Sequence, residues 1–268
     1  MAKLRIDSSR LRNRSNIKFH IILIIVSFLF LIPLITMVSI SLGGGGFANY
    51  IKVFSDARII RYFINSIIIT IPTLILVLFI SSLAAFAFSK LKMPGKNIIF
   101  YLFLSGLMLP IASIIVQLFL MIVRLKLVNN YLAVILPLTA LILPFALLII
   151  RNYMDDIPND IVEASLIDGC KPFGVYRRIM LPLCLPAISA VTIFTFLFSW
   201  NEFLLALVFL RKRELYPITL LPRYFLTEHQ FDIALVFTGF LGIVFPVIIL
   251  YIFLQKYFIE GLTAGAIK

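Results

Sequence analysis

The chain has 268 residues, of which 62% are hydrophobic and 13% charged, with a formal net charge of +12. Soluble globular domains carry roughly 45–50% apolar and about 25% charged residues, so too little polar surface is present to cover a water-soluble enzyme of this size. The composition calls for lipid as the solvent, and the basic excess calls for a topological or surface explanation.

Residues 1–18 form a basic arm (Lys3, Arg5, Arg10, Arg12, Arg14, Lys18) directly before the first apolar run. Uncharged runs then occupy 21–42, 62–89, 97–123, 127–150, 179–201 and 233–255, and the fifth resumes after Glu202 as far as Leu210. Each is long enough for the roughly 20 residues that cross a hydrocarbon core about 30 Å thick. Backbone amides in lipid must be satisfied within one segment or in a closed barrel, and barrel strands would alternate over about 10 residues, so continuous runs of this length mean helices. The expected fold class is therefore an all-α polytopic membrane protein: a cytoplasmic arm (1–18), a six-helix transmembrane domain (19–258) and a short tail (259–268). The first run is too long for the apolar part of a cleaved signal and is read as an uncleaved anchor. Pro33, Pro72, Pro110, Pro137, Pro144, Pro182, Pro186 and Pro246 fall in or at the ends of the runs, which favours kinked helices around a cavity.

With the N-terminus inside, the cytoplasmic segments hold fifteen Lys and Arg and the outer loops nine. That bias, led by the arm, places both termini in the cytoplasm. Because the arm abuts a span, anionic lipid is a nearer partner for it than nucleic acid. Cys170 falls in a loop and Cys184 in the fifth run, which implies neither a disulfide nor a metal cluster. His20 and His229 lie on opposite sides of the expected topology and cannot form a ligand pair. Trp200, Tyr216 and Tyr224 suit the outer interface, where aromatic rings collect.

One loop stands apart. Residues 151–178 hold five of the twelve acids, Asp155, Asp156, Asp160, Glu163 and Asp168. The sequence predicts two short helices: Asp156 capping the first with Pro158 in its opening turn, Gly169 in the left-handed position that ends it, and Pro172 opening the second. Ile161, Ala164, Ser165 and Asp168 recur at spacings of three and four, gathering small side chains on one face. On shape alone this is either a solvated connection or a surface that another protein's backbone can approach closely. A DNA-binding helix-turn-helix is disfavoured by the tether to a span at each end.

The same residues resemble a known pattern. Glu163-Ala164-Ser165, Gly169 six positions after the Glu, and then Ile179, Leu181 and Pro182 are similar to the EAA loop of the membrane subunits of binding-protein-dependent ABC importers (EAA, three residues, G, nine residues, I-x-LP). Ser165 stands where that family usually has Ala. The segments 49–70, 84–100, 196–209 and 255–268 further resemble the maltose-type carbohydrate subgroup. Gly43 to Gly46 replace a longer, proline-containing outer connection, which bears on contact with a binding protein.

The resemblance implies a type I ABC importer permease fold with a cytoplasmic coupling-helix loop (151–182), in a bacterial or archaeal cytoplasmic membrane. It implies a second homologous permease subunit, two ABC ATPase subunits on the cytoplasmic face and an extracytoplasmic solute-binding protein. The solute would be a sugar or oligosaccharide. Glu163, Ala164, Ser165, Asp168, Gly169, Ile179, Leu181 and Pro182 would dock the ATPase, Glu163 by pairing with a basic group. ATP and Mg would be used by those partners. This chain has no phosphate loop, since its only Gly-Lys pair, Gly95-Lys96, is followed by Asn, and no cofactor, metal or catalytic residue is expected in it.

Polar residues within the spans are candidates for the solute pathway. Thr192, Thr195, Ser199 and Glu202 share one helical face with Asn201 beside its upper end, and Ser66, Thr70 and Thr73 form a second stripe with Asn65 nearby. Such groups either line a wet cavity, where hydroxyls and amides suit a polyhydroxylated solute, or bond to backbone and hold helices together. Glu202 is the only acid within an expected span, near its outer end, and is either functional or interfacial. The alternatives are an importer permease for a non-sugar solute and an ion-coupled secondary transporter, though the latter usually needs buried ionisable groups to bind its coupling ion and here only Glu202 qualifies.

Overall fold

The computed structural model describes residues 8–223 and 232–264, and its regular structure there is all helical. Tyr224, His229, the first seven residues of the arm and the last four of the tail lie outside the described residues. Five helical stretches are long and apolar enough to span a membrane: Phe19–Ser41, Ala57–Lys90, Leu132–Asp155, Leu185–Phe209 and Ile233–Phe253. The expected third span is instead two helices, Lys96–Met108 and Ile111–Arg124, bent by 102°. The cause is local. Pro110 has no N–H and forces the residue before it out of the helical region, and Leu109 (φ −87°, ψ 110°) and Pro110 (φ −69°, ψ 132°) are both extended. An unbroken run of apolar residues therefore counts as one span by composition and as a bent pair by backbone.

In chain order the helices are α1 (Ser8–Ser41), α2 (Phe47–Phe54), α3 (Ala57–Lys90), α4 (Lys96–Ser105), α5 (Ile111–Arg124), α6 (Leu132–Asp155), α7 (Asn159–Ile167), α8 (Pro172–Val175), α9 (Leu181–Leu183), α10 (Leu185–Trp200), α11 (Leu204–Phe209) and α12 (Ile233–Ala264). The core is built on α3 and α6, with α10 packed against both. Small residues at the contacts, such as Ala85, Ala133, Ala146 and Val191, are fully buried and let the helices approach closely, as membrane bundles require. Helix α12 packs on α10 and carries α1 along it. None of the residues Phe19–Ile40 of α1 is buried. Its C-terminal end is the fixed point: Ser41 Oγ and Tyr50 Oη share a hydrogen bond of 2.6 Å, and Thr238 Oγ1 donates to Ser41 O at 3.4 Å.

The connections between helices fall on two faces. On one face, here called the loop face, residues 91–95 and 156–184 join spans. On the opposite, far face lie 42–56, 125–131 and 201–223. Trp200 and Tyr216 do not face an interface as expected; both are buried. The Trp200 indole stacks on Phe196 (centroids 5.5 Å apart) and donates to Ile243 O at 2.9 Å, tying α10 to α12. A buried indole N–H needs such a partner, and a carbonyl on a neighbouring helix supplies it.

Candidate functional site

The loop on the loop face begins where α6 stops. Asp156 is helical (φ −73°, ψ −15°) and closes α6 with its N–H on Asn152 O, while Pro158, extended at ψ 138°, is the residue that opens α7. The expected cap is thus corrected: Asp156 ends the preceding helix, and α7 starts without a side-chain cap. Asp160 sits in the first turn of α7, where a carboxylate interacts favourably with the exposed N–H groups. At the other end Gly169 takes φ +83°, with its N–H on Leu166 O and the Cys170 N–H on Ser165 O. This is the left-handed stop expected there, and a Cβ in that conformation costs roughly 1–2 kcal/mol. Pro172 then opens α8, and the chain continues through a π-helical turn, Tyr176–Met180, into α9.

The two faces of α7 differ. Ser165 is turned inward, 7% exposed, with its hydroxyl donating to Ile161 O at 2.5 Å, and Val162 packs beside the core. Outward stand Glu163, Ala164, Asp168 and Gly169, together with Ile167, which is 86% exposed, and on α8 Phe173. Ile167 and Phe173 were not picked out from the sequence. The signal available was an apolar residue immediately before the Asp-Gly stop and another just after the opening proline. Ile179 lies within the π turn and Leu181 and Pro182 just beyond it, with Pro182 exposed and the other two half-buried, so the eight residues divide between α7 with its stop and a separate exit leg.

The span candidates have different surroundings. Asn65, 3% exposed, donates from Nδ2 to Glu214 O (2.8 Å) and Tyr216 O (2.9 Å) and accepts from Tyr131 Oη (2.7 Å). Ser66 Oγ accepts from the Ile218 N–H at 2.8 Å. These two residues clamp the far-face segment 214–218 onto α3. Thr73 and Thr192 donate to carbonyls one turn back, Ile69 O and Ile188 O, both at 2.8 Å. Thr70, Thr195 and Ser199 are buried inside the chain, their hydroxyls bonded to no protein group. Asn201 is exposed, its Nδ2 on Leu197 O at 2.9 Å. Glu202 stands at the break between α10 and α11, where Oε1 accepts from the Leu205 N–H at 2.6 Å and its carbonyl accepts from Thr219 Oγ1 at 2.7 Å. It caps a helix, as an anion at an N-terminus does.

Residues 42–263 match the family described as binding-protein-dependent transport system inner membrane component, and the chain belongs to that family. The arabinooligosaccharides transport system permease protein AraQ of Halalkalibacterium halodurans is 37% identical over 221 residues, 82% of this chain and 78% of that protein. Its namesake in Bacillus subtilis is 35% identical, over 83% and 79% of the two chains. The diacetylchitobiose uptake system permease protein NgcG of Streptomyces coelicolor is 29% identical over 93% and 88%. Among solved structures, a bacterial ABC transporter involved in the import of the acidic polysaccharide alginate has a chain that superposes with a TM-score of 0.76 at 22% identity, over 96% of this chain and 100% of that one. The fold is thus that of an ABC importer permease, and the chain is the multi-pass membrane component of a transport system rather than an enzyme.

Proposed function

We propose that this chain is one permease subunit of an ATP-driven importer for a sugar or oligosaccharide, with its loop face in the cytoplasm. The observation that carries the coupling part is α7: a helix rooted by Val162 and Ser165 that displays Glu163, Ala164 and Ile167, with Gly169 just past its end, at the longer of the two connections described on that face. An ABC ATPase fits there, with Glu163 facing a basic group, and a second permease subunit completes the path. Relatives named for arabinooligosaccharides and diacetylchitobiose support the solute class. A family defined by dependence on a binding protein supports delivery of the solute from the far face. Of the span candidates, Thr192 and Asn201 retain exposed surface for the path, whereas Asn65 and Ser66 are engaged in holding the far-face segment.

The test is co-purification of the ATPase together with uptake of labelled arabinooligosaccharides in a strain lacking the chromosomal copy. Glu163→Lys and Gly169→Asp are expected to lower both by about tenfold, the effect of losing one buried charge pair or close contact at an interface. Wild-type values for both variants would remove the docking role of α7. An ion-coupled carrier is not favoured by the geometry, because the Glu202 carboxylate is occupied in capping α11.

A further inference from the structure

The loop 156–184 is covalently joined to α6 and α10. At the entry, Asp156 ends α6 and Pro158 is extended. At the exit, the π turn Tyr176–Met180 runs into α9 and α10 with a kink at Cys184 (φ −88°, ψ 6°), across which the Cys184 N–H bonds Met180 O and the Ile188 N–H bonds Cys184 O, both at 2.9 Å. The entry joint is broken while the exit joint stays hydrogen-bonded into α10, and both legs are also held by α3. Ser82, Phe86 and Lys90 recur at intervals of four along α3 and so form one stripe. Lys90 Nζ donates to Ile157 O at 2.6 Å and to Asn159 Oδ1 at 3.0 Å, gripping the entry leg. Ser82 Oγ and Tyr176 Oη share a hydrogen bond of 2.8 Å, and the Phe86 and Tyr176 rings lie 5.7 Å apart, gripping the exit leg. Ser82 and Tyr176 are both buried, so their bond exchanges with no solvent, and a charged donor makes the Lys90 contacts stronger than neutral ones.

We infer that this stripe is a clasp that delivers movement of the loop to α3, making Ser82, Phe86 and Lys90 positioning residues for energy coupling. The inference rests on the functional reading above, since it takes the ATPase as the source of movement. Both legs of the loop pass through one helix face, and that helix also shares the most extensive contact in the fold with α6. Displacement of α7 therefore reaches the centre of the bundle through α3 as well as through the exit leg into α10, while the broken entry joint absorbs the rest.

The test uses the assembled complex with its ATPase subunits in lipid nanodiscs, with Cys170 and Cys184 replaced by alanine and spin labels placed at the exposed positions Phe79 on α3 and Phe253 on α12. Distances are compared without nucleotide and after trapping with ATP, Mg and vanadate, so no solute is required. The unsubstituted clasp is expected to show a change in the α3–α12 distance. Lys90→Met, and Ser82→Ala with Tyr176→Phe, are expected to keep the ATPase bound but to shrink the change by about threefold or more, as loss of one or two such hydrogen bonds implies. Lys90→Arg, which keeps a cationic donor, is expected to restore it. A full-size change in both clasp variants, no change with the clasp intact, or loss of ATPase binding in Lys90→Met that Lys90→Arg does not repair would each overturn the clasp. A complex that fails to retain any ATPase with all clasp residues present would instead overturn the functional reading, before the clasp variants are compared.

Discussion

Replacing Asn65 by alanine should unfasten the far face. Its side chain makes three hydrogen bonds across more than sixty residues of sequence, to Glu214 O, Tyr216 O and Tyr131 Oη. A bond of this kind contributes about 0.5–1.5 kcal/mol net, and a buried partner left unsatisfied costs about 1–3 kcal/mol. The Glu214 carbonyl belongs to an exposed residue and can turn to water; the Tyr216 carbonyl sits in a buried bond and cannot. The loss is therefore about 3 kcal/mol or more; Ser66→Ala releases a single group, the buried Ile218 N–H, and should cost about 1–3 kcal/mol. Thermal unfolding of the purified complex in detergent measures both. Limited trypsin digestion adds a local readout, because Arg211, Lys212 and Arg213 flank the released segment and should be cut faster in Asn65→Ala. The refuting result is an Asn65→Ala complex with unchanged melting temperature and digestion but impaired uptake, which would make Asn65 a pathway residue and not a clamp.

Other consequences can be checked on the same material. A Cβ on Gly242 would stand 2.9 Å from Phe54 Cζ, so Gly242→Val should destabilise the α2–α12 contact by about 1–3 kcal/mol, and Phe54→Leu should recover most of it; additive losses in the double variant would contradict this. Glu202→Gln keeps an oxygen for the Leu205 N–H and should leave ATP-driven uptake near wild type, whereas Glu202→Ala should lose about 1 kcal/mol of stability. Abolished uptake in Glu202→Gln with unchanged stability would show that the charge itself is used. Maleimide should modify the partly exposed Cys170 in the folded complex and reach the buried Cys184 only after denaturation, and equal rates would contradict the packing of α9 and α10.

Much of the fold was legible because lipid imposes a simple rule. A run of 20 or more uncharged residues has to be a helix there, whatever its neighbours do, and α1, α3, α6 and α12 follow that rule closely, as does α10 only when taken together with α11. The loop was legible for another reason. Gly169 and Pro172 act on their own backbone, so the stop of α7 and the start of α8 could be placed without knowing the tertiary fold. Composition alone did not distinguish a straight span from the bent pair α4–α5, because Pro110 lies in a run no less apolar than those of the straight helices.

Polar residues inside the spans were the least legible. A period of three or four says that Thr192, Thr195 and Ser199 share a face, but not whether the face meets water, another helix or its own backbone. Asn65 and Ser66 find their partners about 150 residues away, in a segment with no sequence signal that it would fold down over α3. Trp200 was misjudged for the same reason: its partner is a carbonyl on α12.

What the sequence by itself determined is what each residue imposes locally: membrane helices from uncharged length, the turns of the loop from Gly169, Pro158 and Pro172, and a family resemblance from the spacing after Glu163. The tertiary structure alone decided how polar groups are spent. A hydrogen bond in a low-dielectric interior is stronger than in water and an unpaired polar group there is costly, and only the packed arrangement of the helices fixes which groups find partners. That is why Asn65 became a clamp, Glu202 a cap and Lys90 a grip on the loop.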